Sequence, residues 1–137
     1  MKHIFYLLFV AMIVVSPCKA DEGDFMLAED SLTSLGYTTA CLNHLPKKPM
    51  DTVKFFSAAL GELDRKFLGA FGVTLTAISQ EVMHTRPWEY VIIAEEKLIS
   101  LPTQERAKLC LRAKDKLESV VAGLTRKELP LGRPYHD

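Results

Sequence analysis

Few residues in this chain are able to do chemistry. There are three cysteines and four histidines. Cys41 and Cys110 form an even pair once Cys18 is removed with the leader described below. In an exported protein such a pair is expected to close as a disulfide. Two buried free thiols are the alternative if the chain stays in a reducing compartment. A metal site would need more ligands than these spacings offer. The bridge closes a loop of about 70 residues, worth about 4 kcal/mol in the chain-entropy model.

His44 and His84 lie within the central part of the sequence. A histidine in a last helical turn suits the helix dipole without further function. Glu81 stands three before His84. A single Glu-x-x-His normally needs a second copy to hold metal in a helical bundle, and the sequence has none. Glu95 and Glu96 are adjacent, and neighbours in a helix diverge rather than face each other. Glu95 is the one placed toward the apolar side. Ser57, Thr76 and Ser79 lack a glycine elbow and a base ordered near them. No catalytic set, metal or cofactor is therefore expected.

Two segments suit contact with a partner. Lys47-Lys48, held between Pro46 and Pro49, forms a basic knuckle that could meet an acidic surface or simply be solvated. Arg86, Trp88 and Tyr90 cluster in an inter-helix turn, and these residue types dominate interface hot spots. The plainer alternative is that Trp88 and Tyr90 close one end of the core.

The compartment is read from the start of the chain. Met1-Lys2-His3 is a short basic head, and Ile4 to Val15 is unbroken apolar sequence. Ser16-Pro17 breaks it, and Cys18-Lys19-Ala20 ends it with small residues at the −3 and −1 positions. This is the pattern of a signal peptide cleaved after Ala20. The apolar run is too short for a membrane span, which needs about 18 residues or more. Pro17 directly before Cys18 argues against a lipid anchor, the remaining alternative together with an uncleaved leader.

The mature chain would hold 117 residues, one domain with room for a single core. Losing Lys2 and Lys19 leaves fifteen basic residues against seventeen acidic, a net charge of −2. With no basic stripe, nucleic acid is not expected as a partner, nor is general attraction to anionic lipid.

The elements that must position these residues are helical throughout. Phe25, Ala28, Leu32, Leu35, Thr39 and Leu42 recur at three- and four-residue steps, with Gly36 expected to bend the helix or delay its start. Asp51 caps the next stretch. There Val53, Phe56, Leu60, Leu63, Phe67, Phe71, Leu75, Ile78 and Val82 form one stripe. The phase holds across Gly61, Gly69 and Gly72 and predicts one long helix covered on two sides. A break into two helices near Gly69–Gly72 is the alternative. Pro87 opens the next helix, with Trp88, Val91, Ile92, Glu95, Leu98 and Ile99 inward. Thr103 caps the last, whose periodic positions are Ala107, Cys110, Lys114, Leu117, Val121 and Leu124. Lys114 and Glu118 are expected to pair, and Gly123 and Pro130 to end the helix.

The reading is an all-α, disulfide-stapled bundle of about four helices. Residues 1–20 are the signal peptide, 21–128 the bundle and 129–137 a tail. In an up-down-up-down bundle Cys41 and Cys110 come to the same end. The expected function is that of an exported, non-enzymatic protein that binds another protein, as an inhibitor or immunity protein does. It would be periplasmic in a Gram-negative source. A homodimer through Gly69–Gly72 is possible. A periplasmic chaperone or carrier of an apolar ligand, using the Phe55, Phe56, Phe67 and Phe71 stripe, is the alternative, and an enzyme comes last.

Overall fold

A computed structural model describes residues 22–45 and 51–127, and every element among them is helical. Helix α1 spans Glu22–Cys41 and passes into a 3-10 turn, Leu42–His44. Helix α2 spans Thr52–Phe71. A short α3, Leu75–Ala77, continues into a π-helical turn, Ile78–Val82. Helices α4 (Pro87–Ile99) and α5 (Thr103–Lys127) complete the chain. The leader at 1–20, the Lys47-Lys48 knuckle and the tail at 129–137 lie outside the described residues.

The central element is α1, not the long stripe of α2. Ala28, Leu32, Leu35 and Thr39 are buried as their spacing predicts, but Ser31, Ser34 and Ala40 are buried as well. Two faces of α1 are therefore covered, chiefly by α4 and α5. Small side chains make this possible, because they let neighbouring helix axes approach. The buried Ser31 hydroxyl is satisfied within the helix, donating to the Leu27 carbonyl at 2.7 Å. Gly36 neither bends nor delays α1. A Cβ at this position would stand 2.5 Å from the Tyr90 carbonyl oxygen. Gly36 is where α4 lies directly on α1.

Helix α2 is covered on one side only. Phe56, Leu63, Phe67 and Ala70 are buried, whereas Val53 and Leu68 are exposed. The single long helix expected over 51–84 does not form; the alternative, a break near Gly69–Gly72, does. Gly72 takes a left-handed φ of 76°, and its N–H donates to the Leu68 carbonyl, closing α2. The chain restarts where Thr74 caps α3 and the Asp64 carboxylate accepts from both the N–H and the hydroxyl of Thr76, each at 2.7 Å. Leu75 and Ile78 still reach the core, but from a new direction, and Val82 falls outside it. The unbroken phase of the stripe favoured the single helix over the break for that reason.

Helix α5 runs through Gly123 to Lys127 instead of stopping. Fully buried Leu124 holds the last turns down, and the Lys127 ammonium stands 5.9 Å from the centroid of the Phe71 ring. Cys41 and Cys110 are bonded, with their Cα atoms 5.8 Å apart, and tie the end of α1 to α5.

Substitution at two glycines separates these roles. Gly36→Ala drives a methyl into the Tyr90 main chain and is expected to destabilise by about 1–3 kcal/mol. Gly61→Ala meets nothing within 4 Å and is expected to stabilise by about 1 kcal/mol through helix propensity. Urea denaturation of the two variants against the parent checks both signs.

Candidate functional site

Trp88 and Tyr90, paired in the sequence reading, have different roles in the structure. Pro87 takes the first position of α4, and the Glu89 carboxylate accepts from the Arg86 N–H at 3.0 Å. Arg86 is thereby set at the helix start with its side chain exposed. Tyr90 is half-buried where α4 meets Gly36, and its hydroxyl donates to Glu29 of α1 at 2.7 Å. Burial, with the Glu29 bond second, holds its phenol well above the ordinary tyrosine range. Tyr90 is a strut of the fold.

Trp88 meets Phe56 edge-on, with ring centroids 4.9 Å apart, and remains 36% exposed. Its neighbours one and three turns on, Ile92 and Ile99, are 49% and 63% exposed, and Ile93 is 58% exposed. The sequence reading placed Trp88, Ile92 and Ile99 inward. Val91 and Leu98, placed inward with them, do face the core, and Ala94 joins them there. The close approach at Gly36 fixes that rotation, and it turns the aromatic–isoleucine row outward.

A second constellation forms at the disulfide end. The Glu95 carboxylate lies 2.9 Å from His44 Nε2, and Arg106 Nη1 lies 3.4 Å from His44 Nδ1. A guanidinium only donates, so His44 Nδ1 accepts and Nε2 carries the proton given to Glu95. Arg106 also donates through Nε to the Leu98 carbonyl at 3.0 Å and through Nη2 to the Leu101 carbonyl at 3.1 Å. Leu98 is in the last turn of α4 and Leu101 lies in the turn that follows it, and the Leu98 carbonyl also accepts from the Leu101 N–H at 3.2 Å. Arg106 therefore clamps the end of α4, the start of α5 and the turn after α1. With its donors committed, the cluster acts as a structural lock and presents no ordered nucleophile. Glu95 is the half-buried member of the carboxylate pair, and Glu96 is exposed. His84, with a φ of 52°, stands in the turn before α4, away from this cluster. Among the described residues no three metal-ligating side chains gather.

Beside the lock, α1, α5 and Phe55 of α2 enclose an open apolar cleft of about 940 Å³. Leu42, Leu45, Ala107, Leu111 and Leu117 line it together with the disulfide. Lys114 and Glu118 also line it and make no ion pair with each other. Of the phenylalanine stripe, only Phe55 faces this space; Phe56 and Phe67 belong to the core. The sequence reading missed Arg106 and the cleft. The available signal was Lys114, a charge placed within the apolar periodicity of α5.

No helix among the described residues is long and apolar enough to cross a membrane. No protein-family model, curated protein or solved structure matches the chain.

Two measurements test the lock and the strut. Nitrogen-resolved NMR should show His44 as the Nε2–H tautomer at neutral pH. Arg106→Ala should cost about 2 kcal/mol, because two backbone carbonyls lose a charged donor. Arg106→Lys should restore only part of it, since one ammonium cannot reproduce the fork. The raised Tyr90 pKa gives a stabilising contribution that is complete below about pH 10, the ordinary tyrosine value, and is lost as pH rises toward the folded-state value. The stability advantage of the parent over Tyr90→Phe should therefore shrink between pH 7 and pH 11, measured as denaturation midpoints.

Proposed function

We propose that this is an exported, non-enzymatic protein that binds and occludes another protein through the outer face of α4. The observation that carries this reading is the row of Trp88, Ile92 and Ile99 left exposed on a helix whose inner face is tightly anchored. Contiguous exposed apolar surface rimmed by charge marks interaction sites, and the helical repeat puts Glu89 and Glu96 beside this row. Trp88 is backed by Phe56 and so is presented in one orientation. A preformed aromatic anchor loses little entropy on binding.

Export is consistent with the Cys41–Cys110 bridge, because such a bond persists outside reducing compartments. The leader of residues 1–20 supplies the route. Occlusion, as by an inhibitor or immunity protein, fits a rigid surface better than chemistry does, given that Arg106 and His44 are committed to the fold. Arg86 extends the surface at the start of α4.

The reading is tested by a photo-crosslinker at Ile92 in cells of the source, with one at exposed Gly61 as control. Capture at Ile92 of a single different protein is expected. Once purified, that protein should bind the parent, and Trp88→Ala should weaken binding by about tenfold or more, as hot-spot truncation does. An adduct of two copies of this chain would reassign the face to self-association. Unchanged affinity in Trp88→Ala and Ile99→Glu would remove α4 from the interface.

A further inference from the structure

The cleft beside the disulfide is separate from the face of α4, and its chemistry points to a different kind of occupant. We propose that it is a binding site for a single-chain amphiphile with a carboxylate head, such as a free fatty acid. The volume of about 940 Å³ lies within the range of small-molecule sites, about 300–1,000 Å³. Its lining surface is mostly aliphatic or aromatic, and it includes two apolar side chains left in water: Leu45 is 46% and Leu111 66% exposed. Covering them supplies the hydrophobic driving force.

The shape is held open without a ligand. The Cys41–Cys110 bond joins the α1 wall to the α5 wall, and Arg106 fixes the first turns of α5 against the end of α4. The walls therefore neither splay nor close together, which spares a ligand the cost of ordering them. From Thr103 to Glu118, α5 runs for about 22 Å at the helical rise, so the cleft is elongated along one helix, as an extended chain requires.

Charge selects the head. Lys114 lines the cleft and has no ion-pair partner among the described residues. Arg106 adds positive charge at the other end of the lining, and Glu118 is the one carboxylate on it. A single ammonium beside one carboxylate suits a monoanion and disfavours a doubly charged phosphate head. In this assignment the acyl chain lies along Leu111, Ala107 and Phe55, and Lys114 donates to the carboxylate.

The test uses dodecanoate, dodecanol and dodecyl phosphate, a monoester whose head carries close to two negative charges. Each is titrated into the full mature chain below its micelle concentration and read by calorimetry and native mass spectrometry. One dodecanoate per chain is expected. Lys114→Glu should weaken dodecanoate by about tenfold or more, the loss of a charge-assisted bond, and leave dodecanol within about twofold. Leu111→Glu should abolish both. Lys114 and Leu111 are exposed in the free protein, so neither variant should disturb folding, and circular dichroism checks this. Tighter binding of dodecyl phosphate than of dodecanoate would overturn the choice of head. So would equal binding of dodecanoate by Lys114→Glu. No binding, or binding untouched by Leu111→Glu, would overturn the site. A dimer that Leu111→Glu dissociates, with no amphiphile bound, would give the cleft to a second copy of the chain. The outcome is independent of α4, because Trp88→Ala should leave dodecanoate affinity unchanged.

Discussion

Gly36 lies under the main chain of Tyr90, nearer than any side chain at that position would permit. This approach sets the distance between α1 and α4, and it also sets the rotation of α4. With the Tyr90 carbonyl directed at Gly36, the helix repeat places Val91, Ala94 and Leu98 inward. Trp88, Ile92 and Ile99 must then face water. The exposed row is a geometric consequence of one missing methyl on the neighbouring helix. The Tyr90–Glu29 bond secures the same contact from the side.

The disulfide end obeys a second constraint that depends on the first. Arg106 reaches the Leu98 carbonyl at the end of α4 and the Leu101 carbonyl just after it only because α4 is already seated on α1. It then orients His44, which in turn holds Glu95 of the same helix. The loop from α1 through α4 to α5 is thus closed twice, once by a covalent bond and once by a charged hydrogen-bond chain. A fold closed twice at one end has little freedom to collapse into the adjoining space. The cleft persists for that reason.

The class of fold was legible in the sequence, and so was the bridge. Period-three and period-four apolar spacing identifies helices reliably when no strand-like alternation competes, and two cysteines at the same bundle end leave one pairing. Rotation of the helices was not legible. In α4, Ile92 and Ile99 continue the apolar period as well as Ala94 does. Hydrophobicity alone favours the larger side chains as core, whereas the close contact at Gly36 selects the small one. The break after Phe71 was legible only as the alternative, because Leu75 and Ile78 return to the same core after a left-handed Gly72. Arg106 was invisible for a different reason. Its partners are backbone carbonyls, whose positions no side-chain pattern reports.

The two exposed apolar surfaces share an origin. The middle of this bundle is built from Ala28, Ser31, Ser34, Gly36, Thr39 and Ala40 as much as from leucine. Small side chains bring helix axes together and reduce the volume that large side chains must fill. Bulky apolar residues that this narrowed core does not take, Ile92, Ile99 and Leu111 among them, remain exposed. Some exposed apolar surface is ordinary, but scattered residues suffice for that. Here Trp88, Ile92 and Ile99 share a row on α4, and Leu45 and Leu111 share a lined cleft, while Met26, Val53, Leu68 and Val82 stand apart. The row and the cleft are each backed by a fixed element, Phe56 behind Trp88 and the disulfide behind Leu111. Residues exposed at random would carry no such backing. The same close packing that makes α1 the centre of the fold therefore supplies both surfaces on which the proposed binding depends.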